Sequence, residues 1–523
     1  MTARRGSYDA VIVGGGPNGL VAAAYLARAG RSCLLLERRS SLGGAAISEE
    51  IFPGVPARLS RYSYLVSLLP ELIVRELGLP VRLRPRTVSS YTPDPRVEGK
   101  RGLLVDNGDP RGTRRSFCEI TGGERDHAGW ERFRAMTRRI AQAVFPTLTE
   151  PLRSRAQLRA LVGDDRAWEA IFERPLGEAL AEAFDDDLVA GVALTDALIG
   201  TFARAEGEDL RQNRCFLYHV IGRGSGDWEV PVGGMGTIVA ELARAASAAG
   251  AELLTDSEVL AIEPAGDGAG VRYRFGESEH VVAARRVLVN AAPRELERLL
   301  GQSPAGEEPP EGAQVKLNML LRRLPRLKDP HMEPERAFAG TFHVNELASQ
   351  LGLAHRQAAT GVVPNPVPCE AYCHSLTDSS ILGPELRAAG VHTLTVFALH
   401  TPARIFAADP EGARETAFQG ILRSLHSVLA EPIEDCLLAQ PEGGPCLEIR
   451  TPLDLQEELR MPGGHIFHRD LSWPFACSEE EVGSWGVATA EPAVLLCGAG
   501  ARRGGGISGI PGRNAAMAAI AGG

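Results

Sequence analysis

The chain has no apolar run approaching the ~20 residues that a membrane-crossing helix needs. Its first residues, Met1-Thr-Ala-Arg-Arg-Gly-Ser-Tyr-Asp9, lack the apolar core of a secretory leader. A cytoplasmic location is expected, with peripheral contact at a membrane surface left open. There is no basic surplus: 56 Lys+Arg against 66 Asp+Glu give a net charge of −10. That excludes a general nucleic-acid footprint, and basic runs such as Arg111, Arg114 and Arg115 read as solvated surface. There is no disulfide framework, because the nine cysteines are odd in number and scattered over 523 residues. Cys369 and Cys373, followed by His374, do not have zinc-ribbon spacing and no second pair completes them, so no metal is expected. No internal repeat of 20–50 residues is found. With 44% hydrophobic and 23% charged residues the chain is ordinary globular material, long enough for roughly two to four domains.

What the chain has in excess is glycine, 58 residues, in clusters rather than at every third position. The first cluster is Gly14-x-Gly16-x-x-Gly19. It follows a short β-branched run, Asp9–Val13, and precedes an alanine-rich helical stretch, Leu20–Ala29, stopped by Gly30. A second apolar run, 32–36, ends in Glu37. Strand, glycine turn, helix, strand and acid in this register predict dinucleotide binding. Gly14 allows the tight turn, Gly16 the approach of a pyrophosphate, and Gly19 close packing of helix on strand. The helix start offers free N–H groups to phosphate, flanked by Pro17 and Asn18. Glu37 accepts ribose hydroxyls and would repel a 2′-phosphate. Gly43-Gly44, after Arg38 and before Ala45, predict a further close backbone passage.

Further along, residues 126 to 220 are rich in Ala, Leu, Glu and Arg and read as helical. Residues 231 to 293 return to α/β, with a glycine turn at Gly233, Gly234 and Gly236, and a run ending in Val287-Leu-Val-Asn290. Residues 313 to 325 and 391 to 400 read as strands of a second sheet. The last α/β piece is Ala493–Cys497, a glycine loop containing Gly504-x-Gly506-x-x-Gly509, and a helix from Arg513 to Ile520. No acid-bearing strand follows that second GxGxxG, so it cannot build a second dinucleotide domain, and its helix start is placed to stabilise negative charge.

Glu37 followed by five residues and Gly43-Gly44 resembles the FAD signature of glutathione-reductase-type flavoproteins. With 60–69, Val230–Gly236, Gly463–His468 and Gly498–Ala516, the chain resembles the phytoene-desaturase-like FAD-dependent oxidoreductases. These are related to carotenoid desaturases and isomerases and to amine oxidases. Within them it is similar to the subgroup of pyridine nucleotide-disulphide oxidoreductase domain-containing protein 2 and its bacterial relatives. No redox Cys-x-x-Cys follows the first unit, so disulfide chemistry is not expected.

The resemblance implies an α/β fold: a glutathione-reductase-type Rossmann FAD-binding domain made of residues 1–85, 230–300 and 485–523. The substrate domain is then discontinuous, mainly helical over 86–229 and mixed-sheet over 301–484. It implies FAD held by Gly14, Gly16, Pro17, Asn18, Gly19, Glu37, Arg38, Gly43, Gly44 and Ala45, with Val259 near the adenine and Gly505, Gly506 and Ile507 near the isoalloxazine. Gly500 stands in Gly498-Ala499-Gly500, where many relatives carry a Gly-Asp pair, so the ribityl contact would fall to backbone. Arg502 and Arg503 stand where relatives often have His-Pro, with one of them expected on phosphate or substrate. Lys316, in a setting similar to an amine-oxidase lysine beside the flavin, His468, Arg61 and Tyr64 are the candidate catalytic residues. The expected activity is hydride exchange between flavin and a C–C bond of a small apolar substrate, polyene, isoprenoid or secondary metabolite, as desaturation or its reverse. The alternative is amine-oxidase-type C–N oxidation, and a third reading is a non-enzymatic flavoprotein scaffold. Oxygen, a quinone or transient NAD(P)H is the expected electron partner.

Overall fold

The computed structural model describes residues 3–303 and 309–522. Three separated stretches of chain meet in one sheet. Its strands run in the order Ser257–Ala265, Gly268–Phe275, Ser278–Val289, Ser7–Val13, Cys33–Leu36 and Glu252–Leu254, with Val494–Leu496 added beside the end of Ser278–Val289. The Ser7–Val13 strand lies parallel to both its neighbours, as a βαβ crossover requires. Its residues Ala10 to Val13 are buried on both faces, which explains the unbroken apolar run. In the antiparallel Gly268–Phe275 strand only Ala269, Val271 and Tyr273 are buried, the period-two pattern of a half-covered sheet. The helix Met235–Ala248 buries Met235, Ile238, Val239, Leu242 and Ala246 against this unit, one stripe of a 3.6-residue period.

Two helix starts fall earlier than the sequence pattern places them. The first helix is Pro17–Arg28 and the last Ile510–Ala521, each with proline in its first turn, where the missing N–H costs nothing and φ is already set.

A second sheet has the strand order Leu447–Arg450, Val315–Leu321, His392–Ala398, Cys369–Tyr372, Thr341–Val344, Val88–Pro93 and Gly102–Asp106. The last two strands come from the stretch read as mainly helical; helices dominate only from Pro110 onward. In Val315–Leu321 every residue is buried, yet the chemistry alternates. Val315, Leu317, Met319 and Leu321 join an apolar core, while Lys316 and Asn318 point to the other face. Register extends that polar face across the sheet. One cross-strand row reads Arg450, Lys316, Phe397, Glu370, His343, and the next Glu448, Asn318, Thr395, Tyr372, Thr341. A helical layer packs around Phe117, Phe133, Trp168 and Phe216 and covers part of this face. Among the described residues no helix is long and apolar enough to cross a membrane.

Candidate active site

The glycine turn is built as a backbone cradle. Gly14 has φ +99°, and its N–H donates to the Leu36 carbonyl at 2.8 Å, tying turn to second strand. A Cβ on Gly19 would sit 2.2 Å from the Gly14 carbonyl oxygen, so only glycine lets the helix approach the strand this closely. The Gly15 N–H donates to Glu37 Oε2 at 2.7 Å, and the Arg39 N–H to Oε1 at 2.9 Å. Glu37 is thereby held at the strand end, 8% exposed. The Gly43 N–H donates to the Gly15 carbonyl at 2.9 Å, which brings the Gly43-Gly44 passage over the turn. The N-cap of the first helix, Gly16, supplies no side-chain hydrogen bond, and its first turn holds no acid.

A cleft runs from this turn to the polar face of the second sheet. Gly14, Gly16, Pro17, Asn18, Glu37, Arg38, Gly44, Ala45 and Val259 line it at one end. Gly506, Ile507, Tyr64, Lys316 and His468 line it at the other. Gly19 and Gly43 act behind the wall, through packing: a Cβ on Gly43 would meet Ile47 Cγ2 at 2.8 Å. Gly500 packs on Pro293 and Gly505 toward Leu471, so neither lines the cleft. Arg61 does not line it either. Its guanidinium pairs with Glu448 at 2.7 Å and Glu49 at 3.1 Å. Arg502 pairs with Glu481, while Arg503, 1% exposed, donates to the carbonyls of Thr147, Glu150 and Trp485. Arg502 ties the loop to residues 475–481 and Arg503 ties it to residues 147–150 and 485, and neither lines the cleft.

Asn290 was not expected as a site residue. It ends the Ser278–Val289 strand, donates from Nδ2 to the Gly14 carbonyl at 3.2 Å, and lines the cleft. The signal was an amide directly after the apolar run Val287-Leu-Val.

At the far end, Lys316 is 5% exposed and donates to the Ser60 carbonyl at 2.8 Å. Its ammonium lies 5.2 Å from the Phe397 ring centre and 6.0 Å from that of Tyr64. Burial pulls its pKa down to about 7, opposed by the nearby Glu448. The chain holds three lysines, Lys100, Lys316 and Lys328, among dozens of arginines. A lysine kept where arginine is the habit is an amine that can lose its proton at neutral pH. His468, at φ +68°, has an unpartnered Nδ1, and burial pulls it down to about 4, so it stands neutral.

Behind Tyr64 lies a second, larger chamber of about 750 Å³. It is walled by side chains: Arg86, Asp196, His343, Glu370 and Tyr372 at depth, with Asn107, Glu131 and Arg138 at an exposed rim. None of these was singled out from the sequence. For His343, Glu370 and Tyr372 the signal is polar residues at alternate positions of fully buried strands.

The cleft fits a dinucleotide on its own features. The helix at Pro17 starts on its wall with no side-chain cap, the carboxylate of Glu37 is fixed beside it, and the buried Asn18 Oδ1 has no partner. The family model for flavin-containing amine oxidoreductases matches residues 18–437. An uncharacterized protein of Mycobacterium tuberculosis (strain ATCC 25618 / H37Rv) is 52% identical over 98% of this chain and 97% of its own length. Mouse pyridine nucleotide-disulfide oxidoreductase domain-containing protein 2 is 28% identical over 97% of this chain and 92% of its own. The structure of wild-type putrescine oxidase with putrescine shares the fold, with a TM-score of 0.58 at 18% identity over 98% of this chain and 99% of that one. The chain belongs to the family of flavin-containing amine oxidoreductases, and FAD is its cofactor.

Proposed function

We propose that the protein exchanges a hydride between FAD and a C–C bond of a small apolar substrate, as a desaturase or, in reverse, a reductase. The observation that carries this reading is the apolar wall at the end of the FAD cleft. There Tyr64 and Phe397 pack around the buried Lys316. Ile199, Leu65 and Ile466 extend that apolar wall and suit a hydrocarbon segment. Bound FAD supplies the two-electron acceptor. The chain's own residues orient the substrate, exclude water and manage the proton. Lys316, pulled down to about 7, accepts or returns a proton near neutral pH, and Tyr64 and Phe397 hold the reacting carbon against the cleft. In this reading Gly14, Gly16, Glu37 and Gly44 hold the dinucleotide. Residues 1–85, 230–300 and 485–523 form its domain, and oxygen, a quinone or transient NAD(P)H closes the cycle.

A second reading, oxidation of a C–N bond, is favoured by Lys316 itself, a buried amine on the cleft wall in a setting similar to that of the amine-oxidase lysine. Anaerobic mixing of the FAD-loaded protein with an apolar polyene and, separately, with a primary amine decides between them. The first reading expects the oxidised-flavin absorbance to bleach with the polyene, or reduced flavin to reoxidise against it. Bleaching by the amine alone supports the second. No change with either overturns both.

A further inference from the structure

In the oxidoreductase reading, the proton that Lys316 accepts must still pass from the cleft to solvent. A substrate that loses two hydrogens gives one as hydride, two electrons with a proton, and the other as a bare proton. The polar face of the second sheet offers a path. Tyr64, on the cleft wall, donates from its hydroxyl to the Tyr372 hydroxyl at 3.5 Å. Tyr372 donates to Glu370 Oε2 at 2.5 Å. Glu370 lines the second chamber, whose rim is exposed. We propose that Tyr64, Tyr372 and Glu370 form a proton-transfer chain from the FAD cleft to that chamber, with Glu370 as the group that stores the proton.

The chemistry of the surroundings agrees. Glu370 is 1% exposed, and Glu346, 0% exposed, keeps one carboxylate oxygen with no partner. His343 Nδ1 lies 2.7 Å from Glu346 and 3.9 Å from Glu370, and the Thr195 hydroxyl donates to Glu370. The groups facing Glu370 are thus His343, Glu346, Asp196, Arg86, Thr195 and Tyr372. Carboxyls packed this closely away from water cannot all be ionised, so the cluster holds a proton at neutral pH. Burial first, then Glu346, raises Glu370 to about 7, and burial pushes His343 down. The tyrosines need not ionise. A hydroxyl both donates and accepts, so a proton arriving on one side leaves on the other. Glu370 therefore acts through Tyr372 and Tyr64 rather than on the substrate.

The test uses FAD-loaded protein and reduced methyl viologen, a donor that carries electrons and no proton. Two viologens deliver two electrons and the site takes up one proton from solution. A pH-indicator dye follows the proton while absorbance follows the flavin. Proton uptake should keep pace with reduction in the parent protein and lag about tenfold or more in Tyr372→Phe, Tyr64→Phe and Glu370→Gln. Uptake that keeps pace in all three overturns the chain. Infrared titration is the second readout. A carboxylic-acid C=O band that disappears near pH 7 should be missing in Glu370→Gln. It should persist to higher pH in Tyr372→Phe, which loses a hydrogen bond to the ionised form. A band unchanged in Glu370→Gln overturns the storage role. No substrate enters either measurement, so failure of the substrate reading, seen as flavin that viologen reduces and no substrate does, is distinguishable.

Discussion

Lys316 and Glu370 stand on one cross-strand row of one sheet, with Phe397 between them, yet they serve different cavities. Lys316 closes a cleft whose opposite end is backbone: glycines, helix-start N–H groups and one fixed carboxylate. Glu370 lines a chamber whose walls are side chains of both signs. Burial drives the two groups in opposite directions to the same place, the amine down to about 7 and the carboxyl up to about 7. Binding a constant cofactor and handling a variable substrate and its proton thus place unlike demands on sequence. A dinucleotide needs backbone in the right place, and glycine is nearly the only residue that supplies it. A proton needs side chains whose charge is expensive, and many residue combinations supply those.

The largest effect that would sharpen this contrast is Gly19→Val. A Cβ 2.2 Å from the Gly14 carbonyl forces helix and strand apart, and a loss of about 3 kcal/mol or more, with no FAD retained, is expected in a denaturant melt. Gly16→Val comes next. Its φ is −71° and its Cβ meets only Asn290 Nδ2, at 3.0 Å, so the fold survives while the side chain intrudes on the cleft. FAD binding by fluorescence should weaken by about 3 kcal/mol, the scale of lost charge-assisted contacts to phosphate. Equal FAD affinity would break the claim that backbone holds the dinucleotide.

Lys316→Met tests the other end of the cleft through pH. The folded lysine titrates near 7 and the unfolded one near its ordinary value of 10.5. Between those values the unfolded chain binds more protons, so this group makes stability rise with pH. The parent should therefore gain on Lys316→Met as pH climbs from 7 to 10. A stability difference independent of pH would show that Lys316 is not desolvated. The smallest effect is expected at Arg61→Ala, which removes partly screened ion pairs to Glu448 and Glu49. A loss of about 1 kcal/mol with FAD content unchanged is expected, and loss of FAD would return Arg61 to the site.

The FAD half was legible because its determinants are local. Gly14 to Gly44 lie within one βαβ unit, and spacing alone places them. Strand direction and the return of residues 252–289 and 494–496 to the same sheet follow from the glycine turns that precede their helices. Asn290 was not legible, because its meeting with Gly14 spans 276 residues of chain. The chamber was illegible for the same reason on a larger scale. Arg86, Asp196, His343 and Glu370 come from four separate stretches of chain, and strand register places only His343 and Glu370 side by side. Arg503 shows the reverse error, a charge in a glycine loop that reads as a ligand and is a buried tie between loops.

The separation of the two cavities is tested most directly by the FAD dissociation constant of the parent, Glu37→Gln and Glu370→Gln at pH 7. Losing the charge that holds the Gly15 N–H on the cleft wall should weaken FAD about tenfold, whereas Glu370→Gln should leave it within about twofold. Equal weakening in both variants, or none in Glu37→Gln, would contradict a cleft that holds the cofactor and a chamber that does not.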